Sequence, residues 1–211
     1  MIALYGRFWA AAKAMALALA LGMVAAPASA SQASDVITAF HEKLLTAMRN
    51  ASAWDYRERY DYLMPAVEAT FNTPAMMKLA SSSYWRKFSD EEREELSTAF
   101  TEFTVANYAS RFNGYSGQAF VTAEEKEMKN GRVLVKTRLE RGKSAPISID
   151  YMMSPNPDGT FEVIDVFLDG KYSELSLRRS EFSPTLRNQG FTGLLALLKN
   201  KVNSLEADAA R

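Results

Sequence analysis

The chain has 211 residues, 25 basic against 25 acidic side chains, one histidine and no cysteine. Without cysteine there are no disulfide staples, Cys-ligated metals or thiol catalysis, and any Ser-His-Asp triad or His-based zinc site must use His41. No basic run exceeds Arg178-Arg179, so the concentrated positive surface that nucleic acid binding requires is missing.

Residues 1–30 read as a secretory leader. Arg7 and Lys13 form a positive n-region, Ala14 to Ala26 an apolar h-region, and Ala28-Ser29-Ala30 an A-x-A cleavage site. The h-region is shorter than the roughly 20 apolar residues of a membrane-spanning helix. Cleavage after Ala30 leaves 181 residues with 23 basic and 25 acidic side chains, enough for one domain over 31–206 and a flexible tail at 207–211. An uncleaved leader would instead tether the same domain to the inner membrane.

The first half of the mature chain reads as helical. A helix over Ser34 to Arg49 carries the stripe Val36, Ile37, Phe40, Leu44 and Met48, with His41 at its edge as a boundary residue. Tyr56, Tyr60, Leu63, Met64, Val67 and Phe71 mark a second, which Pro65 should kink or divide. Thr73-Pro74 looks like an N-cap followed by proline, opening a short helix through Leu79. Ser89 and Glu92 form a capping box that starts the longest helix, ending near Phe112. On that helix Leu96, Ala99, Phe100 and Phe103 form one stripe, while Val105, Tyr108 and Phe112 fall nearly opposite, so its end is either sandwiched between layers or set between core and cavity.

The second half switches to period two. Ala119 to Met128, Arg132 to Arg141, Ala145 to Met153 and Thr160 to Leu168 read as strands joined by Asn130-Gly131, Gly142-Lys143 and the 155–159 loop. Short connections imply a four-stranded antiparallel meander with one apolar face. Helices from both chain ends can cover that face, which makes the fold α+β. The last helices are expected from Leu175 to about Asn188, perturbed by Pro184, and after Gly190 with Phe191, Leu194, Leu195, Leu198, Val202 and Leu205 on one stripe. No phosphate loop, metal-ligand spacing or internal repeat is visible, and no cofactor is implied.

Val163-Ile164-Asp165-Val166-Phe167-Leu168-Asp169-Gly170, then Arg179-Ser180-Glu181-Phe182, then Gly190-Phe191-Thr192-Gly193-Leu194-Leu195, resembles the MlaC (toluene-tolerance) family of periplasmic lipid carriers. Trp85 before the capping box, Phe100-x-x-Phe103, and Tyr108-Ala109 followed by Tyr115-x-Gly117 are similar to the same family. Two departures stand between Gly170 and Phe182: one residue more than in typical carriers, and Lys171-Tyr172-Ser173 in place of the usual Val-Ser. The wording of 172–182 resembles the hopanoid-associated HpnM branch.

This resemblance implies a deep apolar pocket between sheet and helices, holding lipid tails while a polar head stays near the mouth. Phe103, Tyr108, Phe112, Val133, Val135, Ile149, Tyr151, Val166, Leu168 and Tyr172 are its expected lining, each with ordinary core packing as the alternative. Arg179 matches the family's arginine, either near the head group or pairing with Glu174 or Glu181. Met64, Met76, Met77, Met152 and Met153 either fill the core or let the pocket adapt to different tails. The implied function is that of a monomeric, non-enzymatic periplasmic shuttle for a hopanoid or phospholipid. Its implied partners are an inner-membrane lipid transporter and an outer-membrane component. The alternatives are a lipid-modifying enzyme using Asp165 or another pocket carboxylate, and an accessory subunit of a membrane complex.

Overall fold

The computed structural model describes residues 32–209; the leader and its cleavage site lie outside them. The element order is α1 (Gln32–Arg49), α2 (Tyr56–Thr70), α3 (Thr73–Ser81), a 3-10 turn (Ser82–Lys87), α4 (Asp90–Arg111), then β1 (Ala119–Glu127), β2 (Val133–Arg141), β3 (Ser144–Pro155), β4 (Phe161–Leu168), β5 (Tyr172–Ser173) and α5 (Glu174–Ala209). The fold is α+β, as expected, but the antiparallel sheet has five strands in the order β1-β2-β3-β4-β5. The added strand follows from Asp169 and Gly170, both at positive φ (51° and 64°). They reverse the chain tightly enough for Leu168 to pair with Tyr172 and Phe167 with Ser173. The departure noted after Gly170 therefore falls on β5.

Local chemistry sets the helix boundaries. Ser89 accepts from the Glu92 amide and Glu92 reaches back to the Ser89 amide, the capping box read from sequence. A second box, Asp55 with Glu58, opens α2. The cap of α3 is Asn72 rather than Thr73: its Oδ1 accepts from Ala75 N at 2.9 Å while its own N–H donates to the Val163 carbonyl, tying the helix start to β4. Pro65 and Pro184 divide neither helix. Both are exposed, so water can satisfy the carbonyl each leaves unbonded. The break in α5 comes at Gly190, where φ 61° and ψ −145° suit glycine and almost nothing else.

Helices α1 to α5 pack against one another and on the apolar sheet face. His41 is not a boundary residue: it is 3% exposed, stacked on Phe120 at 3.9 Å between ring centroids and 3.0 Å through Nε2 from the Tyr151 hydroxyl. Arg59, also buried, donates from Nε to the Ala109 carbonyl and from Nη1 to the Trp54 carbonyl, locking α2 to the last turns of α4. Among the described residues no helix is long and apolar enough to cross a membrane.

Candidate functional site

The strands carry their apolar residues along their full length, but the helices cover only part of it. At one end Val133 and Val135 of β2, Tyr151 and Met153 of β3, and Val163 of β4 are buried in the core. At the other end, Leu139, Ile147, Ile149, Val166 and Leu168 face a cavity of about 740 Å³. The register places these ends consistently, with Val133 opposite Met153 and Leu139 opposite Ile147. Helix α4 forms the facing wall through Phe100, Phe103, Thr104, Asn107, Tyr108 and Arg111, an i, i+3, i+4 series. Val105, Ala106 and Ala109 turn away and are fully buried. The two-sided character of the helix end is real, but Phe103 and Tyr108 share the cavity side and Val105 does not.

Of the expected lining, Phe103, Tyr108, Phe112, Ile149, Val166 and Leu168 meet in the cavity wall. Val133, Val135 and Tyr151 lie at the packed end of the sheet and belong to the core. Tyr172 is 68% exposed, because its place in β5 turns its ring outward. Of the methionines, Met76 lines the cavity, joined by Met48, whereas Met77 and Met153 are core residues.

Arg179 does not reach the cavity. It is exposed and donates from Nε and Nη2 to the Leu79 carbonyl, at 3.2 and 2.8 Å, fastening α5 to α3. Its neighbour Arg178 takes the pairing expected of it. Arg178 contacts Glu174 at 2.9 Å and Glu181 at 3.1 Å, lies 4.9 Å from the Phe103 ring centroid, and lines the cavity. Lys201 also pairs with Glu181. Burial opposes ionisation of Glu181, but Lys201 and Arg178 together hold its carboxyl below the ordinary value. The spacing Glu174-x-x-x-Arg178-x-x-Glu181, one helix turn on either side, was the signal available in the sequence.

Asp165 is a structural carboxylate off the cavity wall. It accepts from the Val166 and Leu175 amides and from Ser173 Oγ, while Ser173 Oγ accepts from the Ser176 amide. The two residues together cap α5 and fix its departure from the sheet. Burial raises the Asp165 pKa, with these hydrogen bonds working the other way. The only carboxylate lining the cavity among the described residues is Glu174.

Burial raises the pKa of Tyr108, in the wall, and of Tyr151 behind it. His41 is lowered to about 3 by burial, so it stays neutral. The cavity opens where its lining is exposed, at Arg111, the 113–116 segment and Arg141. Its interior is mainly aromatic and aliphatic, interrupted by Thr104, Asn107 and the Arg178–Glu174 pair, and its rim is polar, a layout that can enclose an apolar body and leave a polar end in water.

A helical layer closed over one end of an antiparallel sheet to leave such a chamber defines an α+β protein built around an apolar cavity. The chain belongs to the MlaC protein family, which matches residues 38–200. The fold is similar to that of a phospholipid-binding protein from Ralstonia solanacearum, solved in complex with a phospholipid. The TM-score is 0.71 at 15% sequence identity, over 82% of this chain and 98% of that one. No curated protein sequence matches the chain.

Proposed function

We propose that this protein is a periplasmic lipid carrier that holds the apolar part of a phospholipid in its cavity and performs no chemistry on it. The observation carrying this reading is the 740 Å³ chamber with a mainly aromatic and aliphatic interior and a polar rim, in a fold similar to that of a phospholipid-bound protein. At about 27 Å³ per methylene at protein-like packing density, that volume takes about 27 methylene groups. Two ordinary acyl chains fill it and leave ester and head group at the rim. Burying that many methylenes is worth about 20 kcal/mol at about 0.8 each, so release into water is negligible and cargo must pass to a receiving partner. By resemblance to the family, these partners are an inner-membrane transporter and an outer-membrane component.

A hopanoid is the second reading. The resemblance of 172–182 to the hopanoid-associated branch favours it, and a fused-ring lipid of about 30 carbons fits the same volume at that packing density. Native mass spectrometry of protein purified from membranes tests both. One lipid per chain, chemically unchanged, is expected. An empty protein in every preparation would refute the carrier, and the mass of the released lipid separates phospholipid from hopanoid.

A further inference from the structure

We propose that the cavity selects an anionic lipid, with Arg111 and Arg141 at its rim holding the head-group phosphate; this deepens the carrier reading and rests on it. Four charged side chains line the cavity: Arg111, Arg141, Arg178 and Glu174. Glu174 is held by Arg178, which is also tied to Glu181, so that corner is internally balanced. Arg111 and Arg141 are exposed at the opening, and neither forms an ion pair among the described residues. The whole chain has equal numbers of acidic and basic side chains, so two unpaired positive charges here are a local feature rather than the spill of a basic surface.

Geometry makes Arg141 a prepared ligand. Its Nε and Nη2 both donate to the Ala145 carbonyl, at 3.1 and 2.6 Å, which fixes the guanidinium plane at the start of the β2–β3 hairpin. The end of the fork, with one N–H on each terminal nitrogen, is left to meet two phosphate oxygens side by side. Arg111 stands on the last turn of α4, where the helix dipole favours a cation. Asn113, Ser116 and Gln118 add neutral donors along the same opening, and Arg49 lies 5.4 Å from the ring centroid of Tyr115 beside them.

The apolar part of the interior meets tails and cannot tell one head group from another, and the Arg178–Glu174 pair within it carries no net charge. Discrimination falls to the rim. A phosphate without a neighbouring ammonium gains from both arginines, whereas in a zwitterionic lipid the ammonium meets the same charges and offsets the gain. If Arg111 only complements the α4 dipole and Arg141 only closes the hairpin, head-group preference would not depend on either.

The test loads lipid-stripped protein from cyclodextrin, which removes vesicle-surface attraction. The supply is an equimolar mixture of phosphatidylglycerol and phosphatidylcholine with identical chains, plus a neutral hopanoid. Bound lipid is then extracted and quantified by mass spectrometry. The wild type should enrich phosphatidylglycerol about five- to tenfold at low salt, less at high salt, as partly solvated charge pairs do. Arg111→Gln/Arg141→Gln should take up phosphatidylglycerol and phosphatidylcholine at near-equal proportions, and each single variant should fall between. Equal uptake by the wild type, a preference for the hopanoid, or an unchanged preference in the double variant would overturn the proposal while leaving a carrier. Failure of the wild type to load any lipid would instead overturn the carrier reading itself.

Discussion

Lowering the pH should destabilise this protein through a single side chain. His41 is the only histidine in the sequence, and burial lowers its pKa from 6.5 to about 3. Above pH 6.5 the histidine is neutral in both folded and unfolded chains and stability does not depend on it. Below pH 6.5 the unfolded chain takes up a proton that the folded chain refuses, so stability is lost as pH falls, down to the folded value near 3. At about 1.4 kcal/mol per pH unit, the loss reaches about 2 kcal/mol at pH 5. Urea unfolding at intervals from pH 7.5 to 5, above the range where most carboxylates titrate, should show that slope. His41→Gln keeps a hydrogen-bonding group toward Tyr151 but cannot titrate. It should start from lower stability, having lost the stack on Phe120, and stay nearly flat across the window. A flat wild-type profile, or an equal slope in the variant, would refute the assignment of the slope to a buried neutral histidine.

Leu168→Arg places a cation on the cavity wall and should abolish co-purified lipid, seen by native mass spectrometry, with a near-native melting temperature; lipid retained at normal stability would remove Leu168 from the wall, and loss of folding would assign it to the core. Gly190→Ala should cost about 1–3 kcal/mol in chemical denaturation, because a Cβ there meets no atom within 4 Å and the whole penalty is backbone strain. Gly114→Ala, equally open but without a positive φ, should change stability by less than about 1 kcal/mol and serves as its control. Arg178→Ala leaves Glu174 and Glu181 without their shared partner and should cost about 2 kcal/mol, allowing for partial exposure. Arg179→Ala, losing exposed bonds to one carbonyl, should cost about 1 kcal/mol or less; the reverse ranking in urea titrations would contradict their placement.

What could be read from sequence was local. Capping chemistry marked the start of α4, and alternation marked the inward face of β2 and β3, whereas a register shift opposite Met152 and Met153 breaks it on β4. What could not be read was distance along a strand. Val135 and Leu139 share one face of β2 and the same alternation, yet one is core and the other cavity wall, because only the helices overhead differ. The two arginines failed for a related reason. Adjacent helical positions point about 100° apart, and motif matching chose Arg179, while the i, i+3 and i, i+4 glutamates belonged to Arg178. Tyr172 was lost to a turn: Asp169 at positive φ is uncommon for a residue with a Cβ, so the two-residue strand it creates left no periodic signal.

Each of β2, β3 and β4 serves two masters along its length. One end is clamped under helices and carries the folding energy; the other faces the cavity. The cavity wall can therefore vary without the sheet losing its footing. Substitutions near Leu139, Ile149 and Leu168 reshape the cavity while Val135, Tyr151 and Val163 keep the frame intact. Such a division gives a lineage room to change the shape of the cavity without having to relearn how to fold.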